Sequence, residues 1–154
     1  MTKSNRATII VVSDSHGAKD KIDKIFNEYT FDHFIFLGDG LTDLGLYENM
    51  PNVTAVRGNC DFFSTYPYEK VINIAGKNIL CTHGNTFEVK RTMLSIEKYA
   101  KMIGVDMVLF GHTHSRYNYI SDGIVYLNPG SLKNGVALEI RIDNNDINYE
   151  YISI

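Results

Sequence analysis

Apolar residues come along this chain in short blocks, and the spacing inside the blocks changes near the middle. Thr8 to Ser13 is β-branched and apolar; from Asp20 to Tyr29, Ile22, Ile25, Phe26 and Tyr29 share one helical face; Phe34 to Leu37 is again a continuous apolar run. This is a β-α-β rhythm, with Asp20 available as the N-cap of the helix. Near-continuous apolarity in both strands predicts burial on both faces, as in a sheet covered by helices. A short helix from Leu41 to about Tyr47 and a third strand over Val53 to Val56 follow.

After Asp61 the pattern becomes strand-rich. Val71 to Ala75 and Asn78 to Thr82 read as strands joined by a hairpin turn at Gly76-Lys77. One long helix is predicted over Glu88 to Ile103, where Val89, Met93, Ile96, Ala100 and Ile103 recur at helical spacing and Gly104 supplies the stop. Val105 to Phe110 is a buried strand. The runs Arg116 to Ile120, Gly123 to Leu127, Val136 to Ile142 and Ile147 to Ile152, separated by Asp-Gly, Pro-Gly and Asn-Asn, read as consecutive antiparallel hairpins.

A helix-covered sheet that continues into a meander predicts an α/β fold, a four-layer α/β/β/α sandwich of two mixed β-sheets flanked by helices. With 154 residues and no repeat or linker, a single domain over 1–154 is expected. The 15 basic against 18 acidic residues leave a net charge of -3, so no stable nucleic-acid complex is expected. The N-terminus is polar from Thr2 to Arg6, and Ala7 to Val12 is short for a signal peptide and reads as the first strand. No run approaches the roughly 18 apolar residues of a membrane span. Cys60 and Cys81 stand in no metal-finger or redox spacing, which predicts a reducing, cytoplasmic setting, with Cys81 a small buried hydrophobe.

Six polar motifs interrupt these blocks: Asp14-Ser15-His16, Gly38-Asp39-Gly40, Gly58-Asn59-Cys60-Asp61, His83-Gly84, Gly111-His112-Thr113-His114 and Asn128-Pro129-Gly130. Most close an apolar run, which is where open α/β sheets place their sites. Two carboxylates, four imidazoles and one amide are the donors that hold divalent transition metals. In an extended segment residues i and i+2 point the same way, so Asp14 with His16, and His112 with His114, are each expected to converge on one ion. Glycines beside the ligands supply clearance for a chain turning over bound ions.

Other polar residues have plainer readings. Asp43 reads as a surface or helix-start residue, His33 as structural or solvated, and Asn128-Pro129-Gly130 as a turn that leaves Ser131 a secondary role. Arg57 is open between a substrate phosphate and a surface ion pair, and Asp61 between orienting Asn59 or a water and forming a turn. Lys90, Arg91, Lys98 and Lys101 form the solvated face of their helix.

Taken in order, Asp-x-His, Gly-Asp, Gly-Asn, His and Gly-His-x-His resemble the calcineurin-like metallophosphoesterase superfamily and, within it, the small YfcE-like phosphodiesterases, over nearly the whole chain. The resemblance implies that Asp14, His16 and His114 hold one metal, that Asn59, His83 and His112 hold a second, and that Asp39 bridges them. It implies manganese first, with nickel, iron, cobalt or zinc also suited to the donors. It further implies hydrolysis of a small phosphodiester by a hydroxide bridging the two ions, with Asp39, Asn59 and Asp61 as the catalytic set. Four positive charges against two aspartates, one hydroxide and a diester monoanion come near neutrality, which favours diesters over dianionic monoesters. Cys60 stands where many superfamily members carry a leaving-group histidine, and a thiol with a pKa near 8.5 is a poor replacement acid.

The competing reading is a metal-binding scaffold resembling the retromer subunit of this fold. Completeness of the donor set, His16 and His83 included, favours the enzyme. An amidohydrolase barrel would need around 250 residues, and no Gly-Lys-Ser/Thr phosphate loop is present. The strand-rich C-terminal half offers an edge that could pair in a homo-oligomer.

Overall fold

A computed structural model describes residues 5–154, so the polar lead-in over residues 2–4 lies outside the described residues. The first sheet has strand order β10-β9-β1-β2-β3, with β1 (Arg6–Val12), β2 (His33–Phe36), β3 (Val53–Ala55), β9 (Val136–Asp143) and β10 (Asp146–Ser153). The second has order β4-β5-β6-β8-β7, with β4 (Glu69–Ile74), β5 (Lys77–Thr82), β6 (Met107–Leu109), β7 (Arg116–Ser121) and β8 (Ile124–Pro129). Both are mixed: β1, β2 and β3 run parallel, as do β5, β6 and β8, while the remaining neighbours pair antiparallel.

Strand periodicity builds the layers. Ile9 and Val11 of β1 point into the space between the sheets, where they join Ile35, Ile79, Cys81, Leu109, Leu127 and Leu138. Ile10 and Val12, one residue out of phase, pack with Ile22 and Ile25 of α1 (Lys19–Glu28) on the opposite face. Leu80, Val108 and Tyr126 likewise cover Ile96 and Ala100 of α2 (Leu94–Ile103). Two sheets face to face with a helix outside each give the four-layer α/β sandwich expected from the pattern.

Local departures have local causes. The helix expected over Glu88 to Ile103 forms only from Leu94, as α2, and is preceded by turns, a left-handed Glu88 at φ 54° and a 3-10 turn over Asn85–Phe87. Val89 and Met93 still pack with the α2 face, because apolar spacing reports which residues are buried rather than the backbone between them. The β4-β5 turn is Ala75-Gly76, one residue earlier than expected, with both residues at positive φ as a two-residue type I′ turn needs and Ile74 opposite Lys77. The last four strands form two hairpins in different sheets, β7-β8 and β9-β10, so the meander crosses from one sheet to the other after β8. α1 starts at Lys19 with Ala18 in the capping position, which places Asp20 in the first turn instead.

Candidate metal centre

The two parallel triplets end on the same side of the sandwich, and every proposed ligand follows one of their strands, while Asn128-Pro129 closes β8 itself. Asp14 and His16 follow β1, Asp39 follows β2, Asn59 follows β3, His83 follows β5, and His112 and His114 follow β6. The sheets are tied together there by main-chain and imidazole bonds. His83 Nδ1 donates to Leu37 O at 2.8 Å, His112 N to Asp14 Oδ2 at 3.1 Å and Leu132 N to Ser13 O at 2.9 Å, while Gly111 N donates to His83 O at 2.9 Å within the second sheet.

Two donor clusters result. Ligand atoms of Asp14, His16 and His114 all lie within 4.8 Å of one another, and so do those of Asp39, His83 and His112. Asp14 and His16 therefore meet, whereas His112 and His114 separate, one to each cluster, and the i, i+2 argument accounts for neither outcome. The period-two rule assumes extended backbone, and these residues are not extended. Asp14, His16, Asp39, His112 and His114 have φ of 55°, 39°, 63°, 70° and 62°. Five non-glycine residues at positive φ in one site is stored backbone strain, held because the surrounding bonds over-determine it.

Each aspartate spends one oxygen on its own loop and keeps the other for the centre. Asp14 Oδ2 accepts from Ser13 Oγ at 2.6 Å and from His112 N at 3.1 Å, leaving Oδ1 3.1 Å from His114 Nε2, 3.5 Å from His16 Nε2 and 3.8 Å from His83 Nε2. Asp39 Oδ1 accepts from Cys60 N at 2.8 Å, and its Oδ2 lies 3.1 Å from His83 Nε2 and 3.9 Å from His16 Nε2, between the clusters.

The donors fit divalent cations on the evidence of their own unmet valence. Asp14 Oδ1, His16 Nε2 and His83 Nε2 are buried without a hydrogen-bond partner. The carbonyl of Leu37 can only accept, so it fixes the proton of neutral His83 on Nδ1 and leaves an Nε2 lone pair facing the Asp39 carboxylate. Two lone pairs 3.1 Å apart repel unless a cation or a proton sits between them.

The electrostatics agree. Burial would raise the Asp39 carboxyl, but the His83 imidazole and the Cys60 N–H outweigh it and hold the group at about 2. Burial alone would lower His83, but the Asp39 and Asp14 carboxylates and the Leu37 carbonyl shift it upward. His112 is pushed down, chiefly by burial and then by the neighbouring His83 and Lys90, which keeps it unprotonated and able to bind metal. Burial and the charges of Asp39, Asp61 and Asp14 raise the Cys60 thiol, so it is an even weaker acid than an ordinary cysteine.

The remaining polar residues hold the loops. Asp61 is buried, and its two oxygens accept from four backbone N–H groups: Asp39 at 2.7 Å, Gly58 at 2.8 Å, Gly40 at 2.8 Å and Leu41 at 3.0 Å. That is the turn-forming role, fastening the Asp39 loop to the Asn59 loop. Asn59 is exposed on this loop with Nδ2 3.4 Å from Cys60 Sγ. Gly38, at φ 102°, packs so closely on this turn that a Cβ there would stand 2.5 Å from Gly58 N.

Asp43 is neither at the surface nor a plain helix start: it is buried, accepting from Ser15 Oγ at 2.6 Å and Gly17 N at 2.8 Å, and so pins the Asp14–His16 loop. Sequence reading missed this because the bond spans 26 residues to Gly17. Asn128 forms its turn, with Gly130 N on Oδ1 at 2.9 Å. It also holds the histidine loop, donating to Gly111 O and Thr113 Oγ1 at 3.0 Å each. Ser131 Oγ donates to Asp14 O at 2.9 Å. Arg57 forms no ion pair among the described residues; it donates to Ser64 O and Asp61 O and lies 4.6 Å over the Tyr68 ring. His33 sits half-buried at the start of β2, and Cys81 is fully buried.

Known proteins carry the same architecture. The chain is 30% identical over 127 residues to the probable metallophosphoesterase YsnB of Bacillus subtilis, covering 81% of this chain and 75% of that protein. A Streptococcus pneumoniae protein described as a predicted phosphoesterase superposes with a TM-score of 0.86 at 26% identity, over 96% of this chain and 90% of that one. Vps29 of Cryptosporidium parvum (TM-score 0.77, 15% identity, 97% and 98% coverage) and an archaeal phosphodiesterase (0.73, 24%, 96% and 99%) share the fold. Residues 8–139 match the model of the calcineurin-like phosphoesterase superfamily domain, so the strand-end donors, the four-layer sandwich and the sequence agree that this chain belongs to that superfamily.

Proposed function

We propose that the protein is a metal-dependent phosphodiesterase using two divalent ions. The observation that carries the reading is the set of three buried ligand atoms, Asp14 Oδ1, His16 Nε2 and His83 Nε2, which converge without protein partners. Asp14, His16 and His114 would hold one ion, and His83 and His112 the other, with Asp39 Oδ2 between them and Asn59 added to the second set by the superfamily resemblance. Ions so bound supply an acidified water as nucleophile and positive charge for the phosphoryl oxygens.

The protein's own part is placement and charge. Asp39, ionised down to about pH 2, and Asp14 bring two negative charges against four positive ones, which leaves room for a hydroxide and a singly charged diester. Asp61 fixes the main chain that carries Asp39, and Cys60 N fixes its carboxylate. The Cys60 thiol, shifted upward, is a poor acid for protonating a leaving alkoxide.

The test is hydrolysis of bis-p-nitrophenyl phosphate and p-nitrophenyl phosphate by metal-stripped protein, with and without manganese. Manganese-dependent cleavage that favours the diester is expected, and aryl esters should react far faster than alkyl esters. A monoester preference would overturn the diester reading. Two bound ions with no turnover under any divalent metal would support a scaffold, the role suggested by the resemblance to the retromer subunit.

A further inference from the structure

Beside the donor clusters the surface opens into a cleft of about 780 Å³ whose walls include His16 and Asp39 and, beyond them, Glu48, Phe62, Phe63 and Tyr66. The two phenylalanines are anomalous for a surface loop. Phe62 is 75% exposed and Phe63 102%, so neither contributes to the core. Phe63 also holds φ 62°, a conformation costly for a bulky residue, in the loop that follows the Asp61 turn.

The charge lining the cleft is one-sided. Among the described residues that line it there is no lysine or arginine, while Asp39, Asp43, Asp61 and Glu48 all do. Asp43 and Asp61 are committed to backbone N–H groups, and Asp39 to the donor cluster. Glu48 remains, accepting from Tyr66 Oη at 2.8 Å. Beyond the donor clusters, two exposed aromatic faces, a carboxylate and no lining lysine or arginine suit a flat, uncharged group and disfavour a second anion.

We propose that this cleft receives one ester arm of the substrate, and that the arm is an uncharged aromatic group packed on Phe62 and Phe63, with Glu48 excluding arms that bear a phosphate or carboxylate. The inference rests on the phosphodiesterase reading and names its substrate class: diesters with at least one neutral aryl or heteroaryl arm.

Non-hydrolysable monoanions test it without ambiguity over which arm leaves. Binding of monomethyl methylphosphonate, monomethyl phenylphosphonate and monomethyl (4-carboxyphenyl)phosphonate to manganese-loaded protein would be measured by calorimetry and by inhibition of bis-p-nitrophenyl phosphate cleavage. The phenyl compound should bind about tenfold tighter than the methyl one, a preference that Phe62→Ala/Phe63→Ala removes. Both side chains are exposed, so the variant keeps its core. The carboxyphenyl compound should bind about tenfold more weakly than the phenyl one, and Glu48→Gln should narrow that gap. Equal affinities for the methyl and phenyl compounds, or a preference that survives the double substitution, would overturn the inference while bis-p-nitrophenyl phosphate is still cleaved. Absence of that cleavage would instead overturn the reading beneath it.

Discussion

His83→Ala is expected to lower metal-dependent diester cleavage by at least about 10²-fold, the scale of losing a preorganised electrostatic contact at a reacting centre, and to reduce the bound metal from two equivalents to one. The residue is fully buried, its ring is fixed by the bond from Nδ1 to Leu37 O, and Nε2 lies 3.1 Å from Asp39 Oδ2. Removing it deletes a proposed ligand and one of the groups that hold Asp39 near 2. Full activity with two metals bound in the variant would overturn the ligand assignment.

The same residue sets a pH dependence. His83 has a raised folded-state pKa, so in the metal-free protein it adds stability that is fully present below its unfolded value and is lost as pH rises through the folded value. A cation needs the unprotonated ring, so its affinity rises over the same interval as the proton leaves. The lowered Asp39 behaves oppositely: its contribution is present above about 3.8 and lost only as pH falls through about 2. The gain in melting temperature on adding manganese should therefore widen as pH rises above the ordinary histidine value of 6.5. Thermal melts at fixed metal concentration check it, and a gain that shrank over that rise would contradict the arrangement.

Asp61→Asn should destabilise the protein by about 3–5 kcal/mol, read as a lower urea midpoint at unchanged slope. The carboxylate accepts four main-chain N–H groups, two on each oxygen. An amide keeps one accepting oxygen and turns an N–H₂ donor toward the other two N–H groups, which then lack a partner in a buried turn. Against a typical total of about 5–15 kcal/mol, that is a large fraction of stability. The turn carries Asp39, so kcat should fall in the metal-loaded variant even where it is fully folded. A change below about 0.5 kcal/mol would show that Asp61 faces water instead of the turn.

Much of the fold could be read from local pattern because burial leaves a periodic trace. The two-sided apolarity of β1 and β2 corresponds to Ile9 and Val11 in the inter-sheet core and Ile10 and Val12 under α1. The donor types were legible too, since two aspartates, four histidines and an asparagine placed after apolar runs have few other uses in that order. What could not be read locally was anything set by a non-periodic backbone: the left-handed Glu88 that shortens α2, and the crossing from β8 to β9.

The site divides along the same line. The sequence alone determined the chemistry available, because donor identity and the superfamily order of motifs are properties of the chain itself. Only the tertiary structure decided which donors meet. Asp14 with His16 and His112 with His114 are both two residues apart and both at positive φ, yet the first pair shares a cluster and the second divides, so the path of each loop and not the spacing settles which donors meet. Asp43, Asp61 and Asn128 hold the ligand loops through bonds that span 15 to 28 residues, apart from the local contacts of Asp61 with Gly58 and of Asn128 with Gly130. Such contacts exist only once each sheet has aligned the ends of its own parallel strands, so no pattern of neighbours along the chain encodes them.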